Sequence, residues 1–137
     1  MVVFCYNKVM KEMICTIVSL IVSSIVWLLG GIDISLQCLL IAIVLDYISG
    51  IIKAYNTKTL SSRIGFRGLV KKIGILVLVM VSVLVDKVTG DTGAVRTLVV
   101  FYFVANEGLS IIENLSIAGI PIPKSLKKAL KALRKDS

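Results

Sequence analysis

The sequence contains no histidine, only three cysteines and only two prolines, and these scarcities exclude several classes of function. Without histidine, the chain lacks the side chain used most often as a general base and as a metal ligand. Cys5, Cys15 and Cys38 form no C-x-x-C pair, so we interpret them as small apolar residues in reduced form. We therefore expect no enzyme, no metal site and no cofactor.

Apolar residues, by contrast, make up 57% of the 137-residue chain, a composition typical of a protein whose surface faces lipid. Four apolar runs approach the roughly 20 residues that cross a hydrocarbon core. They cover residues 14–32, 34–52, 73–88 and 97–114. The sequence predicts an all-α membrane protein with four transmembrane helices, forming a single domain over residues 1–137 that associates with copies of itself as a homo-oligomer.

The distribution of basic residues predicts the topology, because Lys and Arg in short loops stay on the cytoplasmic side. The N-terminal segment, the predicted loop 53–72 and the tail are rich in them, so both termini are expected in the cytoplasm. The excess of sixteen basic over eight acidic residues follows from this rule and from attraction to anionic lipids, without a nucleic-acid partner. Four residues of the loop are predicted to form a cytoplasmic basic collar, namely Arg63, Arg67, Lys71 and Lys72.

Polar residues within the spans are informative, because a charge at the bilayer centre costs roughly 2.5–3.5 kcal/mol on insertion scales. On a helix, the second span carries a narrow stripe formed by Asp46, Ser49, Gly50 and Lys53. This stripe must face protein or water. One interpretation is helix packing, in which Gly50 allows close approach; the other is a water-facing role.

A broader stripe lies on one face of the fourth span and consists of Asn106, Glu107, Ser110, Glu113 and Asn114. If spans two and four run in opposite directions, Asp46 and Glu107 each lie about 10 Å from the cytoplasmic end and share a depth. They could then line a water-filled pore. Alternatively, they pair with Lys53, Arg67 or Lys71 and hold the helices together.

The tail is predicted to form a separate surface helix. The segment GIPIP at 119–123 cannot continue a helix, since each proline lacks an N–H and restrains the preceding residue. Beyond it, residues 125–135 have an apolar face and a basic face, as expected of a helix on an anionic membrane surface. Its lipid-binding residues are predicted to be Lys127, Lys128, Lys131, Arg134 and Lys135.

Several motifs, in this order and spacing, resemble the phage holin and toxin-secretion holin family of Gram-positive bacteria and their phages. They are LDYISG at 45–50, LSSRIGFRGLVKK at 60–72, VDK at 85–87, NEGLSIIEN at 106–114, GIPIP at 119–123 and LK at 126–127. The resemblance covers roughly residues 36–133.

The resemblance implies a holin, which oligomerises in the inner membrane of a bacterial host and forms timed pores. These release an endolysin, or in some relatives a toxin, without necessary direct contact. The pore-facing residues expected from polarity are Asp46, Lys53, Glu107, Ser110 and Glu113. Two alternatives remain open: an antiholin that restrains a separate holin, and a stable small ion channel or accessory membrane subunit.

Overall fold

The computed structural model of the chain describes residues 2–126, 128 and 132, with side chains from Val9 onward. Four helices follow one another: α1 (Val2–Leu28), α2 (Ile34–Asn56), α3 (Ser62–Thr89) and α4 (Ala94–Ile117). Within these described residues there is no strand. Each helix contains a stretch long and apolar enough to cross a membrane. The predicted all-α fold with four membrane-spanning helices is confirmed, whereas the side on which the termini lie stays a prediction.

The chain divides into two compact units, Met1–Ile32 and Asp33–Ser137, so the expected single domain stays a prediction. The first unit is α1, whose apolar side chains are mostly exposed from Val9 to Trp27. This helix ends where the amides of Gly30 and Gly31 donate to the carbonyls of Trp27 and Val26, at 3.0 and 2.9 Å. Both glycines have positive φ, +78° and +89°, which is the backbone that such a C-terminal cap requires.

In the second unit, α2, α3 and α4 pack around a small apolar core. Its fully buried side chains are Leu36, Leu39, Val79, Val100 and Leu109. Large apolar side chains also cover the outside, for example Ile41 on α2, Val77 on α3 and Phe101 on α4. In water such a surface would be unfavourable. In a bilayer these side chains contact lipid tails instead of water, so they do not need to be buried inside the protein.

Helices α2 and α4 run in the same direction, and α3 runs opposite to both. The start of α2 meets the start of α4 where Asp33 binds Arg96 at 2.8 Å. Their far ends meet where the side-chain amide of Asn56 donates to the Ala118 carbonyl at 3.1 Å. The expectation that spans two and four are antiparallel was therefore wrong. Alternate crossings of a membrane necessarily share a direction, so the predicted four-span topology itself requires the parallel arrangement.

The helices extend beyond the apolar runs. The predicted loop over residues 53–72 is a connection of five residues, 57–61, because α2 continues to Asn56 and α3 already begins at Ser62. Hydropathy marks the part of a helix that prefers lipid, whereas the helix itself ends only where its hydrogen bonds end. As a result, the four predicted collar residues lie on a helix rather than in a loop.

After α4, the chain turns at Gly119, which has a φ of +93°, and the amides of Gly119 and Ile120 donate to the carbonyls of Ser116 and Leu115. The following prolines prevent continuation of the helix, as predicted. Helical residues resume at 124–126, 128 and 132, and Lys128 is exposed. The other predicted lipid-binding residues lie outside the described residues, namely Lys127, Lys131, Arg134 and Lys135.

Candidate functional site

A buried ion cluster joins the three helices of the second unit. The Lys72 ammonium of α3 donates to Asp46 Oδ2 of α2 at 2.6 Å and to Glu107 Oε2 of α4 at 2.5 Å. The three side chains are only 14%, 10% and 7% exposed for Asp46, Lys72 and Glu107 respectively. With all three groups ionised, one positive charge lies between two negative charges, which keeps the net charge of this central cluster at −1.

Two neutral side chains complete the central cluster. The Asn114 amide donates to Asp46 Oδ1 at 3.1 Å and to Ser49 Oγ at 3.2 Å. The Ser49 hydroxyl donates to the carbonyl of Asp46 at 2.9 Å. Each oxygen of the Asp46 carboxylate therefore accepts a hydrogen bond from a different helix. Among the described residues, no buried side-chain nitrogen or oxygen lacks a hydrogen-bond partner, as a stable apolar environment demands.

The central cluster lies deep within the apolar part of the unit. Asp46, Lys72 and Glu107 each lie ten residues from a helix end, at Asn56, Ser62 and Ile117. At 1.5 Å per residue this is about 15 Å. The helices extend beyond the apolar runs, however, and Asp46 lies six residues before Ile52, the end of the apolar run on α2. The central cluster is therefore about 9 Å inside the apolar length, within the hydrocarbon rather than at its surface. At that depth, ionised groups are retained only when they are paired or hydrated.

The structure brings together only part of the two predicted polar stripes. Asp46, Ser49, Glu107 and Asn114 meet in the central cluster. Asn106, Ser110, Gly50 and Lys53 are half-buried, and Glu113 is exposed. A Cβ added at Gly50 would lie 3.8 Å from Asn114 Nδ2, an ordinary contact, so Gly50 is not required for close approach of the helices. Whether any of these residues lines a pore stays a prediction.

The partner of the two carboxylates is Lys72, and not Lys53, Arg67 or Lys71 as expected. Of the four predicted collar residues, Arg63, Arg67 and Lys71 are exposed, whereas Lys72 is buried. A signal for this was present in the sequence. Lys72 continues the buried stripe of α3, which includes Ile75, Val79, Ser82, Val83 and Asp86, whereas Lys71 lies about 100° away from it. Placing residues 53–72 in a loop concealed that stripe.

A second ion cluster lies at the other end of the three helices. The Arg96 guanidinium donates two hydrogen bonds to the Asp33 carboxylate, at 2.8 and 3.0 Å, in the bidentate geometry that makes such pairs strong. The Asp86 carboxylate accepts from the amides of Val95 and Arg96, at 3.0 and 2.7 Å. Asp86 of α3 thereby caps α4, whose own N-cap, Gly93, has no side chain to do so.

This end cluster also joins the three helices, but in a different way from the central one: the Arg96 side chain pairs with Asp33, whereas Asp86 contacts the backbone amides at the start of α4. Asp33 also caps α2 by accepting from the Leu36 amide at 2.9 Å. The side-chain hydrogen bonds from Arg96 hold the pKa of Asp33 well below its usual range. Sequence reasoning missed the end cluster, because Asp33 and Arg96 are 63 residues apart and lie at helix starts, where no periodic pattern marks them.

The chemistry of the central cluster is electrostatic. Among the described residues, no group of three or more His, Cys, Asp or Glu side chains could hold a metal ion. Lys72 is already bound by two carboxylates, so the cluster acts as an internal cross-link between α2, α3 and α4. If the helices separate, it becomes an exposed set of charges that requires water.

Comparison with known proteins agrees with the motifs noted in the sequence. The model of the bacteriophage holin family matches residues 23–135. An uncharacterized 14.9 kDa protein of Clostridium perfringens is 46% identical over 108 residues, covering 78% of this chain and 82% of that protein. A protein of Bacillus phage phi105 described as a probable holin is 34% identical over 102 residues, covering 74% of this chain and 76% of its own length.

No solved structure matches the chain significantly. The family match covers α2, α3 and α4 in full and the end of α1, and therefore includes every residue of both ion clusters. The resemblance found in the sequence is confirmed: this chain, a multi-pass membrane protein, belongs to the bacteriophage holin family.

Proposed function

We propose that this protein is a holin of the bacterial cytoplasmic membrane, which accumulates as homo-oligomers and then forms pores that release an endolysin or a toxin. The observation that carries the proposal is the central cluster: three charged side chains lie buried in the middle of a unit whose outer surface is apolar. A protein that only needs to stay in the membrane has no use for these charges, because apolar residues would pack there at lower cost.

In the packed unit the polar surface is hidden from lipid, so the protein can accumulate without damaging the membrane. For a pore to form, α2, α3 and α4 must separate and present Asp46, Lys72 and Glu107 to water. One copy alone cannot do this, because its charges would then face hydrocarbon at several kcal/mol each. Several copies can, if their polar faces enclose water together.

This energetic difference makes pore formation cooperative. Below a critical number of neighbouring copies, the packed unit is favoured. Above that number, the charges of each copy are hydrated in the shared lumen, and opening of one copy favours opening of the next. A sudden transition after a silent period follows from these two states without any further component.

The test is induced expression in a bacterial host, with and without a coexpressed cytoplasmic endolysin, while membrane potential and culture density are recorded. We expect a delayed, abrupt loss of potential, with lysis only when the endolysin is present. Continued growth with a steady potential would contradict the proposal and favour the antiholin or a stable membrane subunit.

The matched variants are Glu107→Leu and Glu12→Leu, which make the same chemical change inside and outside the central cluster. In Glu107→Leu, Lys72 keeps Asp46 as its partner, so the packed unit persists while the surface that must be hydrated loses a charge. We expect later or absent lysis at equal protein abundance. Glu12 is an exposed residue of α1, and its replacement should leave the timing unchanged. Equal timing in all three proteins would refute a role for Glu107.

A further inference from the structure

The first turns of α3 carry a row of exposed cations. Arg63, Arg67 and Lys71 follow one another at intervals of four residues, so they lie on one side of the helix, spread over about 80° and about 12 Å of its length. All three are exposed. Within the part of the chain that the structure describes, none of them forms a salt bridge. We call these three residues the α3 basic row.

The rest of this segment explains why the row faces outward. Lys72 and Gly65 lie on the opposite side of α3, where Lys72 reaches the central cluster and a Cβ added at Gly65 would lie 3.6 Å from the Tyr47 hydroxyl of α2. This packing fixes the rotation of α3. The row cannot turn toward the interior without withdrawing Lys72 from Asp46 and Glu107.

The depth of the row follows from the residues with which Lys72 pairs. Asp46 lies six residues before Ile52, the last residue of the apolar run on α2, and is therefore about 9 Å inside the apolar length. Since Lys72 shares this level, Lys71 lies about 8 Å and Arg67 about 2 Å inside it, and Arg63 lies about 5 Å outside. The row thus runs from the headgroup layer into the hydrocarbon.

Cations on the outer face at such a depth need an anionic partner or water, and their long side chains extend toward the interface to reach one. Apolar side chains lie immediately beside the row on the same exposed face, namely Phe66, Val70, Ile73 and Val77. A row of cations next to an apolar track matches a molecule that is anionic at one end and apolar along its length.

We propose that the α3 basic row is a binding site for anionic phospholipids, in which the headgroup phosphate contacts Arg63, Arg67 and Lys71 and an acyl chain lies along the apolar track. Basic clusters at the end of a membrane span attract anionic headgroups, and each cation contributes. Because Lys71 and Lys72 are adjacent, a bound lipid holds α3 at the depth at which Lys72 meets its two carboxylates. This proposal concerns binding and does not depend on pore formation.

The test uses the purified full-length chain in a neutral detergent and follows thermal unfolding by circular dichroism. Phosphatidylglycerol, phosphatidylcholine and inorganic phosphate are added separately. A ligand that binds only the folded protein raises the unfolding midpoint. We expect a rise with phosphatidylglycerol, none with inorganic phosphate, and for phosphatidylcholine a rise only at about 10- to 100-fold higher concentration. A rise with inorganic phosphate alone would show an anion site that is not a lipid site.

The decisive variant is the triple replacement Arg63→Gln, Arg67→Gln and Lys71→Gln, which should bring the two lipid affinities within about twofold of each other. The control is Lys11→Gln, Lys58→Gln and Lys124→Gln, which removes the same number of charges from exposed positions outside α3 and should keep the preference. Replacing Arg63 and Arg67 by lysine, as a check that charge suffices, should also keep it. If both triple variants lose the preference for phosphatidylglycerol equally, the preference depends only on net charge, and the proposal is overturned.

A competing partner for the row is Glu113 of a second copy. Glu113 is exposed on α4 and lies about 9 Å from Glu107 along the helix, close to the level of Arg67. If copies pair in this way, Glu113→Gln should weaken oligomers seen by crosslinking, and the α3 triple variant should do so equally without changing the response to phosphatidylglycerol. That combination of results would show that the α3 basic row binds a second copy of the chain rather than a lipid, and would overturn the proposal.

Discussion

Replacing Lys72 by methionine should make the proposed pore open too early. Methionine fills a similar volume but removes the cation that contacts both carboxylates, at 2.6 Å from Asp46 and 2.5 Å from Glu107. Two buried carboxylates then face each other without compensation. Removing one partner of a buried ion pair costs about 3–5 kcal/mol, and this cost falls on the packed unit, since in a water-filled lumen the carboxylates are hydrated.

A cost of that size changes the ratio of open to packed units by a factor of about 100 to several thousand. The assay is the time from induction to loss of membrane potential in a host that also expresses an endolysin, with protein abundance matched by immunoblot. Lys72→Met should act clearly earlier than the natural sequence.

Two controls separate charge from general damage. Lys72→Arg keeps the positive charge and should remain closer to the natural timing than methionine. The triple variant Asp46→Asn, Lys72→Met and Glu107→Gln removes all three charges, and exchange of a whole buried ion cluster for neutral groups is often neutral or stabilising. It should therefore act late. If Lys72→Met is no earlier than the natural sequence at equal abundance, the central cluster does not hold the unit closed.

Two further predictions concern stability and are measured by unfolding of the purified protein in detergent. Asp33→Asn keeps the N-cap of α2 but loses the ion pair with Arg96, and because Asp33 is half exposed we expect a loss of only about 1 kcal/mol. Arg96 lowers the pKa of Asp33. The stability contributed by this ion pair is therefore complete above about pH 4 and falls as the pH drops below that value toward the lowered pKa. A difference in stability between the two proteins that grows in acid would contradict this prediction. Gly50→Ala should be neutral or stabilise the protein by up to about 1 kcal/mol, because alanine favours a helix and its Cβ would meet only Asn114 Nδ2 at 3.8 Å. A large loss of stability would show that α2 and α4 pack more tightly there than the structure indicates.

The helices could be predicted from the sequence because lipid imposes a simple requirement: about 20 consecutive apolar residues and a satisfied backbone. The shared level of Asp46 and Glu107 was also predictable, because rare polar residues in apolar spans must meet something polar. The relative direction of spans two and four was predicted wrongly, although alternate crossings of a membrane must run in the same direction.

Residues outside the four apolar runs were harder to place. Lys72 belongs to a basic segment that hydropathy assigns to a loop, and only the buried stripe continuing from Ile75 and Val79 reveals its direction. The pairing of Asp33 with Arg96 depends on how three helices pack at one end. That information is distributed over the whole unit and has no local signature in either segment.

Lys72 and Asp86 are fourteen residues apart on α3, and this spacing determines which changes of sequence the unit tolerates. Fourteen residues span about 21 Å and almost four whole turns, so both side chains project from nearly the same side of the helix. Insertion or deletion of one residue between them would rotate one relative to the other by about 100°, and one of the two ion clusters would be lost. The lipid-facing positions of α3 can exchange one apolar residue for another, whereas the length of this segment is constrained.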